Sequence, residues 1–505
     1  MFRSSPAGIV IVAALYIGIA VMNALTMRPW CDEGWFSNPA ENLRTSGSMA
    51  TTVLDPTAAW RDLNLRGIDR HTYWVMPLYI LAQAGWYHFT GFSLISMRLF
   101  SVLWGLVALL CWYSIVKHLS ANAALALLAA SLLVIDFQFL VTAGNGRMDM
   151  MTFALESAAL AAYLALRERA FTRAVLISHC LAAAGVFTHP LGILGAAGLA
   201  LVSLYYDRRR LRFQHILLAS VPYLVAAGAW TTYILKSPSD FTAQFISNAS
   251  GRLSLFTHPF AALQTQIVSR YFYPYGLGPD ARPASHLKVV ILVIYAAAVL
   301  LAFGTRGIRR HPGLRVLLIL TASNVSGLTL MDSFGIEWYL IYIIPLAIVL
   351  LAVSVNYFWG VNHLSRAAVF VTLSVLVAIQ LSVSGLRVIR NNRSDFNAAA
   401  AFLQAHLSSY RLVMASAEFG IPLRFDKRLI DDFRLGYRSG RRPDLIVMDV
   451  QRYVSWLGGL RVKDAGNYSY IQTLLSSYHV IYNRGGYSMY ERPQPSGVQT
   501  LGMHP

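Results

Sequence analysis

Long apolar runs separated by short polar segments dominate the first 390 residues of the chain. A transmembrane helix needs about 20 apolar residues, and eleven runs reach or approach that length. They lie at residues 7–27, 98–117, 121–141, 150–166, 174–187, 191–206, 215–236, 285–303, 315–331, 338–358 and 367–385. This pattern predicts a mainly α-helical, polytopic membrane protein with about eleven spans.

The pattern changes after residue 390. The segment 397–407 has helical spacing, and the runs at 411–416 and 444–450 are typical of buried strands. Segment 478–493 alternates and contains Arg484-Gly485-Gly486, which predicts a hairpin. We therefore expect a membrane domain over 1–390 and a small soluble α/β domain over 391–505.

Composition supports the membrane assignment. Hydrophobic residues make up 56% of the chain and charged residues only 13%, with a mean hydropathy of +0.49, which is too apolar for a soluble protein of this length. The net charge of +18 arises largely from arginine clusters in short loops, so nucleic acid is not expected as a partner. The three cysteines give no disulfide or metal framework.

The basic loops predict the orientation in the membrane. A cytoplasmic amino terminus places nearly all of the short basic loops on the cytoplasmic side, as the positive-inside rule requires. These loops contain Lys117, 167–173, 207–212, 305–315 and Arg366. The long loops 28–97 and 237–284 and the carboxy-terminal domain then lie outside. A span at 73–89 would invert every later loop, so we interpret that segment as an interfacial or re-entrant helix.

The first long loop opens with "WCDEGWFSNPAENLRTSG" (30–47), which holds the adjacent carboxylates Asp32 and Glu33. Its later residues include capping residues at the spacing expected for a short surface helix. The predicted N-cap, first, third and C′ positions are Asn38, Pro39, Glu41 and Gly47.

Polar residues of separate loops converge on the predicted outer side. They are Asp32, Glu33, Arg147, Asp149, His189, Glu337 and Tyr339. Each has an ordinary explanation alone, such as a solvated acid, a favourable charge at a helix start, or a helix boundary. Together they indicate a common cavity open to the outside.

Six stretches carry a family resemblance. In chain order they are "DEGWFSNPAENLRTSG", "MPLYILAQAGWYHFTG", "RLFSVLWGLVALLCWYSIVKHL", "GRMDMMTFALESAALAAYLALRER", "FTHPLG" and "IEWYLIYIIPLAIVLLA". The order resembles that of GT-C membrane glycosyltransferases, especially the branch of lipid A aminoarabinose transferases and bacterial protein O-mannosyltransferase relatives. The resemblance covers about the first 390 residues, and a carboxy-terminal periplasmic domain is also similar to that branch.

The resemblance implies sugar transfer from a polyprenyl-phosphate donor to an acceptor hydroxyl at the periplasmic face of a bacterial inner membrane. It assigns the catalytic carboxylate to Asp32 and a later acid to Asp149. Glu33 is a further candidate in its own right, which we expect to orient a neighbour or to stay solvated. Two departures exist: the segment before Pro77 lacks a lysine, and Glu337 stands where a basic residue is common. Specificity for aminoarabinose is therefore not carried over.

The chemistry of the reaction defines further candidates. Displacing a lipid phosphate requires a base and cations that stabilise the leaving group, and we expect inversion without an obligatory metal or other cofactor. The phosphate-binding candidates are Arg270 first, then Arg147, Arg252, His189 and His258. The substrate-binding candidates are Tyr339, Glu337 and Tyr73.

Two alternatives remain open. An oligosaccharyltransferase-like enzyme would use a pyrophosphate donor and a divalent cation, but the second long loop has only Asp240 and Asp280 as acids. A lipid-sugar transporter or flippase would place charges within its spans, which are nearly free of them. The acceptor, whether lipid A, another glycan or a protein, is also open.

Overall fold

A computed structural model describes residues 6–253, 258–278, 281 and 283–493. The chain forms two compact units. The first, which we call the helical unit, contains Met1–Met27 and Tyr73–Asn392, and the second, the sheet unit, contains Arg28–Thr72 and Arg393–Pro505. The expected boundary near 390 has a counterpart at Asn392, but residues 28–72 group with the carboxy-terminal residues rather than with the membrane domain.

Most of the described chain is α-helical. In chain order, the α-helices of the described residues are α1 Pro6–Thr26, α2 Cys31–Ser46, α3 Pro56–Leu63, α4 Pro77–Thr90, α5 Leu94–Ser120, α6 Ala123–Ile135, α7 Phe137–Ala143, α8 Met148–Leu166, α9 Phe171–Thr188, α10 Ile193–Asp207, α11 Phe213–Ile234, α12 Pro238–Phe241, α13 Asn248–Gly251, α14 Pro259–Thr265, α15 Lys288–Gly304, α16 Arg306–Arg310, α17 Pro312–Met331, α18 Ile344–Trp359, α19 His363–Arg390, α20 Ser394–His406, α21 Val450–Lys463 and α22 Ala465–Ser476.

Each of the eleven apolar runs corresponds to helix. Within the described residues, nine helical segments are long and apolar enough to cross a membrane. They contain α1, α5, α8, α9, α10, α11, α15, α17 and α19. The run at 121–141 forms α6 and α7, bent by 68° at a break where Asp136 caps α7, and the run at 338–358 ends in the shorter helix α18. The chain is a multi-pass membrane protein with the expected helical fold class, while the count of eleven spans stays a prediction.

Loops that the sequence places on the cytoplasmic side are neighbours within the helical unit. Arg167 and Arg210 both pair with Asp207, at 2.7 and 3.2 Å, so the basic loops after α8 and α10 lie together. Gly313 at the start of α17 lies against the backbone of Leu119 at the end of α5. These contacts agree with one common side for the basic loops.

Charged residues also occur inside the span-length helices. Arg98 of α5 donates to the carbonyls of Ala24 and Met27 at the end of α1. Glu156 of α8 lines a cavity of about 40 Å³ with Asn324 and apolar residues of α5, α10, α17 and α18. The spans are therefore less free of charge than the transporter argument assumed.

The sheet unit has five strands in the order β2-β1-β3-β5-β4. Their bounds are β1 Val413–Met414, β2 Leu429–Ile430, β3 Leu445–Asp449, β4 His479–Arg484 and β5 Tyr487–Glu491. Strand β1 pairs in parallel with β2 and β3, whereas β5 pairs antiparallel with β3 and β4. The predicted hairpin is confirmed, because Gly485 and Gly486 turn with φ of 59° and 77°, which side chains disfavour.

Helix α2 begins earlier than expected. Its first residue is Cys31, because the Glu33 side chain accepts a hydrogen bond from the backbone N–H of Trp30 at 3.0 Å and caps the helix there. The predicted N-cap at Asn38 is wrong, since Asn38 instead accepts from the N–H of Val53. The predicted end is confirmed, because Gly47 adopts φ 71° and closes the last turn.

Candidate active site

The helical unit brings six predicted site residues into one polar cluster. They are Arg147, Asp149, His189, Arg252, Arg270 and Tyr339. They come from the amino end of α8, the turn between α9 and α10, the second long loop and the 3₁₀ turn Glu337–Tyr342. Of the seven polar residues expected to converge, four lie in this cluster, namely Arg147, Asp149, His189 and Tyr339, and the phosphate-binding candidates Arg252 and Arg270 join them.

Arg147 and Asp149 form a buried ion pair at the amino end of α8. Nε of Arg147 lies 2.8 Å from Oδ2 of Asp149, and the guanidinium lies over the ring of Trp338. Oδ1 of Asp149 is buried and has no hydrogen-bond donor among the described residues. The turn before α8 is held by the hydroxyl of Tyr79, which donates to the carbonyl of Gly146 at 2.8 Å. Asp149 is thus fixed with one oxygen able to accept a further hydrogen bond.

His189 lies between α9 and α10 and is a neutral side chain at pH 7. Burial, with the charges of Arg252 and Arg147, lowers its pKa to about 4, and Asp149 only partly opposes this shift. Nδ1 accepts the backbone N–H of Leu191 at 3.1 Å, which assigns the ring proton to Nε2. His189 can therefore donate a hydrogen bond but is not a cation near neutral pH.

A buried carboxylate, Asp332, joins Arg252 and Arg270. Its Oδ1 lies 2.9 Å from Nη1 of Arg252, and its Oδ2 lies 2.7 Å from Nη2 of Arg270. Nη1 of Arg252 also donates to the hydroxyl of Tyr339 at 3.3 Å, which connects this trio to His189 through the ring contact of Tyr339. Two arginines and one carboxylate leave an excess positive charge. We call Arg252, Asp332 and Arg270 the arginine clamp.

The two arginines of the clamp differ in exposure. Arg270 is completely buried, and its Nε and Nη1 have no acceptor among the described residues. The side chain of Arg252 is 34% exposed. The clamp thus combines a fixed inner guanidinium, which still has unused donors, with an outer guanidinium that solvent or a ligand reaches.

Asp332 was not among the sequence candidates. It belongs to the outer segment 332–337, in which Glu337 was the predicted site residue. Its partners are 62 and 80 residues away, so only the fold reveals the pairing.

Three candidates lie outside the cluster. Glu337 is exposed and interacts electrostatically with Lys288 and Arg387. Tyr73 donates its hydroxyl to the carbonyl of Tyr233 at 3.0 Å and packs against its ring. His258 is exposed directly before α14. The described contacts of Glu337 and Tyr73 are with residues other than the clamp, and the assigned roles of all three stay predictions.

Asp32 and Glu33 belong to the sheet unit, in the first turn of α2. Asp32 is partly exposed, with Oδ1 3.7 Å from Sγ of Cys31. Glu33 is buried and caps the helix, so its observed contact is a structural one. The catalytic role of Asp32 stays a prediction.

Side chains that could bind a metal ion do not cluster within the described part of the chain. No group of three or more His, Cys, Asp or Glu side chains there is arranged to hold a metal ion. Asp280 of the second long loop lies outside the described residues.

The chain has the fold of GT-C membrane glycosyltransferases, as the sequence resemblance predicted. It is similar to ArnT from Cupriavidus metallidurans bound to undecaprenyl phosphate, with a TM-score of 0.61 and 14% identity over 97% of this chain and 99% of that one. It is also similar to the archaeal oligosaccharyltransferase AglB from Archaeoglobus fulgidus in complex with an inhibitory peptide and a dolichol-phosphate, with a TM-score of 0.57 and 11% identity over 98% and 75% of the two chains. No protein-family model matches the sequence, and no curated protein matches it significantly. At these identities the likeness concerns the fold.

Proposed function

We propose that this protein transfers a sugar from a polyprenyl-phosphate donor to an acceptor hydroxyl, with inversion at the sugar carbon. The arginine clamp is the observation that carries the proposal, because its excess positive charge suits a lipid phosphate. The fold supports it, since ArnT, which shares that fold, was solved bound to undecaprenyl phosphate. We place the reaction at the periplasmic face of a bacterial inner membrane.

The clamp has N–H groups that can donate hydrogen bonds to a phosphate. Burying an N–H group without an acceptor is unfavourable by roughly 1–3 kcal/mol, so the unused Nε and Nη1 of Arg270 favour an anionic ligand. Arg252 is partly exposed, so a phosphate can reach its guanidinium. Guanidinium groups bind phosphate through paired, charge-assisted hydrogen bonds. We assign both arginines to the leaving phosphate, with Nε2–H of His189 as a third donor.

Asp32 is the proposed base. The acceptor O–H bond breaks and its proton passes to the Asp32 carboxylate while the acceptor oxygen forms a bond to the anomeric carbon. The bond from that carbon to the phosphate oxygen breaks, and its electron pair leaves with the polyprenyl phosphate. Arg252 and Arg270 stabilise the charge that develops there. Attack from the face opposite the phosphate inverts the anomeric configuration.

Asp149 has a separate proposed role. Its Oδ1, which has no donor among the described residues, suits a hydroxyl of the transferred sugar, while Arg147 orients the carboxylate. Because the arginines supply the cationic charge that a phosphomonoester leaving group needs, we expect transfer to continue in EDTA.

The experiment is reconstitution of the purified chain with synthetic polyprenyl-phosphate sugars and envelope extracts as acceptors. Mass spectrometry should detect free polyprenyl phosphate together with a new glycoconjugate, and NMR of the product should show inversion. Transfer from pyrophosphate-linked donors alone, or transfer abolished by EDTA and restored by magnesium, would support the oligosaccharyltransferase-like alternative. Movement of lipid-linked sugar between leaflets without a new glycosidic bond would support the transporter.

The proposed orientation has its own test. A cysteine introduced at exposed Arg442 should react with a membrane-impermeant reagent from the periplasm, whereas one at Arg208 should not. The reverse labelling would place the clamp on the wrong side for a periplasmic reaction.

A further inference from the structure

The loops after α8 and α10 form one surface at one end of the helical unit. The buried carboxylate of Asp207, at the end of α10, lies 2.7 Å from Nε of Arg167 and 3.2 Å from Nη1 of Arg210. Nη1 of Arg210 also donates to the carbonyl of Arg167 at 2.9 Å. The hydroxyl of Tyr163 donates to Oδ2 of Asp207 at 2.8 Å. One buried aspartate therefore holds the two loops together.

The helices that follow these loops are also in contact. The ring of Phe171, the first residue of α9, meets the ring of His215 in the first turn of α11, with ring centroids 4.9 Å apart. Cζ of Arg210 lies 4.5 Å from the centroid of the Phe171 ring. Segments 167–173 and 207–215 are therefore parts of one continuous surface rather than two separate loops.

Positive charge exceeds negative charge on this surface. Its two acids, Asp207 and Glu168, pair with Arg167 and Arg210, so these four side chains balance one another in charge. Five further arginines of the two segments are exposed, and no acid among the described residues forms an ion pair with them. We call these five the basic patch: Arg169, Arg173, Arg208, Arg209 and Arg212.

The basic patch lies at the opposite end of the spans from the candidate active site. Helix α8 begins beside Arg147 and ends beside Arg167, and its 19 residues are about 28 Å long. Helix α9 returns from the patch to His189. The hydrocarbon core of a bilayer is about 30 Å thick. The patch therefore lies at the membrane surface that faces away from the candidate active site.

An apolar helix face begins directly beside the patch. Phe213, Ile216 and Leu217, in the first two turns of α11, are 73%, 61% and 52% exposed. Phe213 follows Arg212 in the chain, so cationic and apolar groups adjoin. The positive-inside rule accounts for arginines in such loops. The contact between the two loops has a further consequence, because it gathers five unpaired cations beside one lipid-facing helix.

We propose that the basic patch binds the phosphate of an anionic phospholipid whose acyl chains lie along the exposed face of α11. Arginine suits a phosphodiester, because its planar guanidinium donates paired, charge-assisted hydrogen bonds to two oxygens. A zwitterionic phospholipid fits less well, because its ammonium group would be repelled by the guanidinium groups. The proposal does not depend on sugar transfer, since it concerns the other end of the spans.

The test is lipid binding to the purified full-length protein in detergent, measured by native mass spectrometry. Phosphatidylglycerol should bind more tightly than phosphatidylethanolamine. The double variant Arg208→Gln/Arg209→Gln should raise the apparent Kd for phosphatidylglycerol at least about 10-fold. Both arginines are exposed, so the variant should keep the thermal unfolding temperature of the wild type. Equal binding of the two lipids, or unchanged affinity in the double variant, would overturn the proposal.

The matched control is Arg309→Gln/Arg310→Gln. These arginines are also consecutive and exposed, and they belong to α16 of the helical unit, so the control removes the same charge from another loop. It should bind phosphatidylglycerol like the wild type. Both double variants are also measured in the Arg252→Met background, so that lipid bound at the clamp does not contribute. An equal loss in both would mean that net charge alone attracts the lipid, and the basic patch would not be a site.

A third measurement distinguishes a lipid from a soluble phosphate. Glycerophosphoglycerol is the head group of phosphatidylglycerol without its acyl chains. Neither this compound nor inorganic phosphate should displace phosphatidylglycerol, even in large excess, because neither can contact the apolar face of α11. Displacement by either one would show that the patch takes a soluble anion, which would contradict the proposal.

Discussion

The two units bury acidic side chains in opposite ways. In the helical unit, Asp149 and Asp332 lie against arginines, so each carboxylate is stabilised by a cation and holds that cation in place. In the sheet unit, Asp431 lies beside Glu418 and Asp432 and receives its hydrogen bonds from neutral N–H groups. The first arrangement pairs each carboxylate with a cation, whereas in the second, burial and the two neighbouring acids raise the pKa of Asp431 to about 7. The neighbours of a carboxylate, rather than its burial alone, decide which behaviour results.

The largest expected effect concerns Asp32, whose proposed role depends on basicity rather than on pairing. Asp32→Asn keeps the size of the side chain and removes the base, so the transfer rate should fall by about 10²- to 10⁴-fold. Donor binding should persist, because the clamp is intact. Single-turnover kinetics with a polyprenyl-phosphate sugar measure this directly.

The control for this variant is Glu33→Gln. The amide oxygen can still accept the N–H of Trp30, so the cap of α2 and the transfer rate should remain close to those of the wild type. Near-normal transfer by Asp32→Asn, or an equal loss in Glu33→Gln, would remove Asp32 as the base.

A second prediction concerns the ion pairs of Asp332 with the two arginines of the clamp. Asp332→Asn leaves the fully buried Arg270 without its counter-charge, and losing one partner of a buried ion pair costs about 3–5 kcal/mol in unfolding free energy. Chemical unfolding in detergent should show this loss. Glu168→Gln is the control, because Glu168 is 68% exposed and its pairing with Arg167 should contribute at most about 1 kcal/mol. Equal stability of the two variants would mean that the clamp is not held by charge pairing.

A third prediction tests the packing of α2 against the turn at Ala417 without changing Asp431. Gly34→Ala forces a methyl group against the backbone of Ala417, which should destabilise the sheet unit by about 1–3 kcal/mol and shift the NMR resonance of the Trp35 indole, which donates to Asp431. Ser46→Ala, at the exposed end of the same helix, should do neither. An unchanged Trp35 resonance in Gly34→Ala would show that α2 does not pack against the backbone of Ala417.

The smallest effect concerns His189, whose pKa of about 4 lies below that of ordinary histidines. A lowered histidine pKa adds stability that is present above about pH 6.5 and is lost as the pH falls through about 4. Because His189 does not titrate near pH 6.5, His189→Gln should leave the dependence of the transfer rate on pH unchanged there. A change in the wild-type transfer rate near pH 6.5 that disappears in His189→Gln would mean that the histidine gains its proton at that pH.

Local patterns were predictable because local residues determine them. The apolar runs, the glycine turn at 485–486 and the end of α2 at Gly47 all follow from period, φ preference or capping chemistry. The start of α2 was missed because Glu33 caps it ahead of the apparent signal at Asn38. Strand β2 is only two residues long and has no readable period.

Long-range pairing was not predictable from one sequence. Four members of the cluster were expected to converge, but the pairing of Asp332 with Arg270 and Arg252, which lie 62 and 80 positions away, was not. The grouping of residues 28–72 with the carboxy-terminal segment likewise depends on contacts such as Trp35 with Asp431, which are 396 positions apart.

The most direct test of the proposed function is the binding of polyprenyl phosphate to the purified protein, compared between two matched arginine variants. Arg252→Met removes the exposed cation of the clamp, whereas Arg210→Met removes a similarly exposed arginine that also pairs with an aspartate of the helical unit. A hydrogen bond to a charged group contributes about 1.5–3 kcal/mol, so Arg252→Met should weaken binding roughly 10- to 100-fold while Arg210→Met binds like the wild type. Equal affinities of the two variants would contradict the assignment of the clamp to the donor phosphate.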